Sequence, residues 1–196
     1  MCPTWTRARG WADVEHIDAG KLDERVLVLA LQETAENVWR WVETRKTWAS
    51  VEQSTRRNNW SVHGIGTTGV TLTVRRQDIT LGHALQWRGQ HCFITSLLPF
   101  GRNHLKVEAA LVAVSECVDK ASGLQFPGNM TEKYLGHEER EPYDVNMLRH
   151  VLVTPKAIEL KPGRLVEVDG TPWPILVAHT LDPWHNEYEL EREVDL

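Results

Sequence analysis

Residues 69–114 read GVTLTVRRQDITLGHALQWRGQHCFITSLLPFGRNHLKVEAALVAV. Val70, Leu72 and Val74 alternate with Thr71, Thr73 and Arg75, the period-2 pattern of a strand with one buried face. Leu85 and Trp87 alternate with Gln86 and Arg88 up to Gly89, where the chain can turn. Cys92, Phe93 and Ile94 make a short apolar run, and residues 99–103 (PFGRN) carry turn chemistry. Leu105, Val107, Ala109 and Leu111 share one face of a further strand. Three or four strands joined by tight turns predict a mainly β fold, a small antiparallel β-barrel or sandwich.

Outward from this stretch, residues 25–33 (RVLVLALQE) predict a first strand with apolar residues on both faces, so a second layer or a neighbouring subunit should cover it. Residues 38–52 hold Trp39, Trp41 and Trp48 and predict a turn followed by a strand ending near Val51. Residues 53–69 (QSTRRNNWSVHGIGTTG) are polar and contain three glycines, the composition of a long loop. Arg56, Arg57, Asn58, Trp60 and His63 lie along it, either as a solvated turn or as a docking element. Residues 1–20 show no periodicity and form an N-terminal arm. Its Trp5 and Trp11 fold back on the core or anchor a neighbouring subunit.

Residues 115–150 break the alternation, with Gly123, Pro127, Gly128, Gly136 and Pro142 as punctuation. They predict a linker with short helical turns near Met130–Leu135. Residues 151–196 return to strands as a second, smaller β module, and here the chain echoes itself. LQWRGQHCFI (85–94) and VEVDGTPWPI (166–175) share a strand, a turn glycine and an isoleucine five positions on. Gly170 follows Gly89 by 81 residues, as Ile175 follows Ile94, which predicts a quasi-repeat of the module at residues 21–114. Trp87 and Ile94 should lie in the first core, with Val168 and Ile175 as their equivalents.

A chain of 196 residues, 41% hydrophobic and 25% charged, suits one domain or two small ones. Cys2, Cys92 and Cys117 are odd in number and widely spaced, so neither a disulfide framework nor a metal pattern is expected. The opening MCPTWTRARGWADVEH lacks an apolar run, and nothing approaches the roughly 20 apolar residues of a membrane span. These features predict a soluble intracellular protein. None of the nine histidines falls at metal-ligand spacing, and there is no GxSxG, phosphate-binding loop or dinucleotide fingerprint. No catalytic set, cofactor or metal is therefore expected.

Charge is uneven. Residues 1–114 hold 14 basic and 11 acidic side chains, whereas residues 115–196 hold 8 and 16. The acidic half is either a solubilising face or a surface past which duplex DNA moves without sticking. Glu187, Glu189, Glu191 and Glu193 alternate along the last predicted strand and so share one face.

Residues 22–114 resemble the head-closure (stopper, or head-tail joining) proteins of long-tailed bacteriophages. The resemblance is carried by Glu24-Arg25-Val26, by Trp48-Ala49-Ser50-Val51-Glu52, by residues 71–80 (TLTVRRQDIT) and by the strand–Gly–strand hairpin of 85–94. The N-terminal arm and everything after residue 115 lie outside it, as an extension and an additional C-terminal domain. The resemblance implies a virion protein of the neck, made in the host cytoplasm, that forms a homo-oligomeric ring between a portal or adaptor protein and a tail-terminator or tail-tube protein. Such a ring would help retain packaged duplex DNA and dock the tail, with no cofactor and no membrane. It implies that the loop holding Arg56, Arg57, Asn58, Trp60 and His63 projects toward the channel or the next ring. Trp5, Trp11, Trp39 and Trp41 are candidate interface residues. Two alternatives remain: a tail-terminator or tail-completion protein, and a cytosolic β-domain binding a small ligand or partner.

Overall fold

The computed structural model describes residues 19–133 and 147–193. Among the described residues twelve strands follow one 3-10 turn (Ala19–Lys21), and the chain is mainly β. The first six are β1 (Glu24–Ala35), β2 (Val38–Asn58), β3 (Thr67–Arg75), β4 (His83–Trp87), β5 (Gln90–Phe100) and β6 (His104–Val112). Each pairs antiparallel with the next in the order β1-β2-β3-β6-β5-β4, and β4 returns to β1. The result is a closed ring of six strands. Its inward face gathers Val26, Val28, Val70, Leu72, Val74, Leu85, Trp87, Ile94, Val107 and Ala109, all buried. The alternation read in residues 70–74 and 105–111 is thus the inside–outside pattern of this ring.

The second six strands are β7 (Ser115–Asp119), β8 (Gln125–Glu132), β9 (Met147–Pro155), β10 (Leu165–Val168), β11 (Thr171–His179) and β12 (His185–Glu193). They too form a closed antiparallel ring, β7-β8-β9-β12-β11-β10 and back to β7. Advancing every label of the first ring by six reproduces this order. Register repeats as well. Ala84 faces Phe93 and Trp87 faces Gln90, while Leu165 faces Pro174 and Val168 faces Thr171, each residue displaced by 81. Both hairpins turn on two left-handed residues, Arg88 (φ 50°) with Gly89 (φ 79°) and Asp169 (φ 48°) with Gly170 (φ 81°). That is the primed turn whose twist matches the flanking strands and which favours glycine at its second position. A bulge follows Ile94 in one ring and Ile175 in the other, after which Ser96 meets Glu108 and Val177 meets Glu189. Trp87, Ile94, Val168 and Ile175 are all buried.

Three expected features differ. Residues 115–132 are not a linker with helical turns but β7 and β8, so the second ring begins at residue 115 rather than 151. Residues 134–146 lie outside the described residues. Pro127 and Gly128, which read as loop punctuation, sit buried inside β8. Gly128 is there for packing: a Cβ would stand 2.6 Å from Leu152 Cδ1 and 2.9 Å from Cys117 Sγ. Next, Val38–Asn58 is one strand of 21 residues rather than a turn and a strand ending near Val51. Finally, the long loop expected over 53–69 shrinks to residues 59–66, because β2 and β3 take both its ends.

The rings meet along the elongated β1–β2 hairpin. Val38 of β2 pairs with Gln125 of β8, the one parallel contact among the described strands, and Gln125 N donates to Asn37 O at 2.8 Å. Leu31 and Trp39, at the end of that hairpin, pack against the second core of Phe126, Leu152, Ile158, Trp173, Tyr188 and Leu190.

Ile94→Ala and Ile175→Ala should each cost about 2–5 kcal/mol, because each removes a fully buried side chain from a closed core. The two sites belong to separate cores, so the double variant should lose the sum of the two in urea unfolding. A double variant no worse than either single one would mean that the rings do not pack as separate cores.

Candidate functional site

The loop at residues 59–66 leaves the first ring and is fastened to the second. Trp60 is buried in a cluster with Phe93 and Ala110 of the first ring and Val151 and Val153 of β9, its ring centroid 5.3 Å from that of Phe93. The Glu187 carboxylate of β12, also buried, accepts three hydrogen bonds from the loop: Ser61 Oγ at 3.0 Å, Val62 N at 2.9 Å and His63 N at 3.2 Å. Gly64 N donates to Ser61 Oγ (2.9 Å), and Gly64 bridges Lys133 just beyond β8. A Cβ on Gly64 would lie 2.1 Å from Thr131 Cγ2, so only glycine allows this approach. Ile65 N donates to Glu132 O at 3.0 Å, and Thr131 Oγ1 donates to Ile65 O at 2.9 Å.

Beyond this anchor, β12 meets a line of basic side chains. Glu189 pairs with Lys133 through Oε2 and with His179 Nε2 through Oε1 at 3.0 Å. Burial raises the Glu189 carboxyl, but the Lys133 and His179 hydrogen bonds outweigh it and hold the group below the usual carboxylate range. Glu191 Oε2 lies 2.8 Å from Arg149 Nε. The imidazole of His63 stacks on that of His179, centroids 3.8 Å apart and planes 20° from parallel. His63, His179 and Glu189 each present one donor atom, all within 4.8 Å of one another.

The structure therefore brings His63 and Trp60 together with Glu187 and Glu189, and separates the other expected site residues from them. Arg56 and Arg57 lie exposed near the end of β2, and Asn58 Nδ2 donates to Thr95 Oγ1 at 3.1 Å. Trp39 packs on the second core and Trp41 lies against His91, ring centroids 5.5 Å apart. Trp5 and Trp11 lie outside the described residues, as does the side chain of Glu193. The face shared by Glu187, Glu189 and Glu191 is not an unpaired acidic wall. Each carboxylate is matched by loop amides or by a cation.

A second feature is an open groove of about 730 Å³ on the first ring, lined by Leu27, Leu29, Trp41, His91, Leu111 and Val112 among others. His91 is buried at its wall and its Nε2 has no hydrogen-bond partner. Burial alone pulls this imidazole down to about 4. Cys92 and Cys117 are buried thiols, each pushed up to about 12 chiefly by desolvation, and unsuited to nucleophilic work.

Compared with known proteins, the chain matches no family model, and neither a curated protein nor a solved structure is significantly similar to it.

Glu187→Gln should free the loop, since an amide places a donor against one of the loop donors that the carboxylate accepts. Hydrogen exchange at Val62 and His63 should accelerate, with a stability loss of about 1–3 kcal/mol. Unchanged protection would mean that Trp60 and the contacts of Gly64 and Ile65 hold the loop without the carboxylate.

His91 supplies a pH test. Its folded value lies below that of the unfolded chain, so between about 6.5 and about 4 the unfolded state binds the extra proton. Stability should fall with acid across this window, and His91→Gln should flatten the fall by one proton's share. Urea midpoints at several pH values would read this directly. Parallel losses in both chains would show that His91 is not held neutral.

Proposed function

We propose that the chain is a structural assembly protein, and more narrowly a head-closure type connector of a tailed bacteriophage with a duplicated β module. The observation that carries the assembly reading is the combination of closed rings with exposed large apolar side chains. Every strand of each ring pairs on both sides over part of its length, so association by strand addition is restricted to short stretches such as the end of β5 and side-chain surfaces carry most of the contact. Those surfaces carry Trp48 and Leu98 on the first ring and Leu176, Val177, Leu181 and Trp184 on the second. Leu181 is fully exposed and Trp48 is 57% exposed, and a neighbouring subunit packed on these side chains would take their apolar surface out of water. The narrower reading rests on the sequence resemblance of residues 22–114. Matching strand order, hairpin register and bulge support duplication of one module as the origin of the second.

In this reading the loop at 59–66 is a brace inside the chain, and the neighbour-facing elements are the apolar rims. The groove beside His91 favours a second reading, a β-domain that takes a small ligand.

Trp48→Glu combined with Leu181→Glu should leave the monomer folded by circular dichroism but unable to enter a higher-mass ring, alone or with portal rings, in sedimentation. Particles made with this variant should show DNA-filled heads without tails. Normal tailed particles would exclude the connector reading. A monomer that ignores portal rings yet is stabilised by a small-molecule library at the groove would favour the second.

A further inference from the structure

Three donor atoms from three elements converge where the rings meet. They are an imidazole nitrogen of His63 on the 59–66 loop, another of His179 on β11, and a carboxylate oxygen of Glu189 on β12. We propose that they form a binding site for a divalent transition metal of the zinc class, which clamps the loop of the first ring onto the second. Two imidazoles and one carboxylate suit Zn²⁺, Co²⁺ or Ni²⁺, whereas Mg²⁺ and Ca²⁺ call for oxygen ligands.

The geometry is close to that of such a site. Metal–ligand bonds of about 2.0–2.2 Å at tetrahedral angles put donor atoms roughly 3.4 Å apart. His179 Nε2 and Glu189 Oε1 stand 3.0 Å apart, and no pair among the three exceeds 4.8 Å. Rotamer-scale adjustment of His63, whose ring already lies over His179, completes the set. Backbone placement is fixed by the fold, because the Glu187 carboxylate holds the amides of Val62 and His63. The two oxygens of Glu189 are divided. Oε1 faces the imidazoles and would take the metal, while Oε2 keeps Lys133 as an outer partner that orients the carboxylate. All three ligand residues are half-buried, so an ion can enter and a fourth position stays open to water. The ligands belong to both rings, so occupancy would stiffen the junction whatever the chain assembles with.

The test uses the full-length untagged chain carrying Cys2→Ser, which removes a competing thiol, after stripping with EDTA. Titration with Zn²⁺ in a calorimeter should show one saturable site per chain. Co²⁺ should give the visible bands of four- or five-coordinate geometry, and amide exchange at residues 62–64 should slow in the presence of Zn²⁺. His63→Ala and His179→Ala should each weaken Zn²⁺ binding by about 100-fold, at least what loss of an outer-shell partner costs. His83→Ala, in the first ring, should bind as the parent does. If His179→Ala also lowers metal-free stability, His63→Ala on the loop decides alone. Absence of saturable binding, or binding by His63→Ala at parental strength, overturns the site.

Discussion

Closure of each ring is the constraint on which the remaining structure depends. In an open sheet a strand can slip by two residues and keep its inward face. In a ring of six the register of every pair is tied to all the others, so one slip would have to be absorbed around the circuit. Two hairpin turns, at Gly89 and Gly170, and two bulges, after Ile94 and Ile175, occupy the same places in the two circuits. These features bend and twist strands enough for short segments to close, and a bulge also pins the register beside it. The tight turn also fixes Glu24 at the start of β1, which accepts from Trp87 Nε1 at 3.2 Å and pairs with Arg88. Each core then forms from inward residues that closure has already aligned.

Where the two rings differ is as informative as where they agree. In the first ring β1 and β2 run for 12 and 21 residues; their counterparts β7 and β8 run for 5 and 8. The extra length carries Leu31 and Trp39 to the second core, and the loop that follows β2 carries Trp60 and Ser61 to β9 and β12. His179 and Glu189 stand 81 residues beyond Leu98 and Glu108, so the histidine has no like counterpart in the first ring. The junction is thus built from what one ring has and the other lacks. A repeat supplies two closed cores, and departures from the repeat join them.

Much of this was legible in the chain. Alternation in 70–74 and 105–111, the turn glycines and the offset of 81 all follow from strand period and turn chemistry, which are local properties. Residues 115–132 were not legible, because Pro127 and Gly128 signal a turn to any local reading. Their place inside a strand depends on Leu152 and Cys117, whose positions only the closed ring determines. The loop escapes a local reading for a related reason. Its polar residues meet a buried carboxylate more than a hundred positions away, and its tryptophan fills a gap between two cores. His63, His179 and Glu189 have no motif spacing, since they come from three elements brought together by topology.

The acidic bias of the second half likewise changes meaning once its partners are known. As a sequence, the alternating glutamates of β12 form a row of like charges that would repel one another and any polyanion. In the fold, Glu187 turns to the amides of the loop, Glu189 to Lys133 and His179, and Glu191 to Arg149. These partners offset the repulsion along one strand and turn it into attachments between elements. A half-buried pair such as Glu189–Lys133 is worth more than an exposed one, because solvent screens it less. From Glu187 to Glu191 this face is therefore fastened within the chain rather than presented as bare charge.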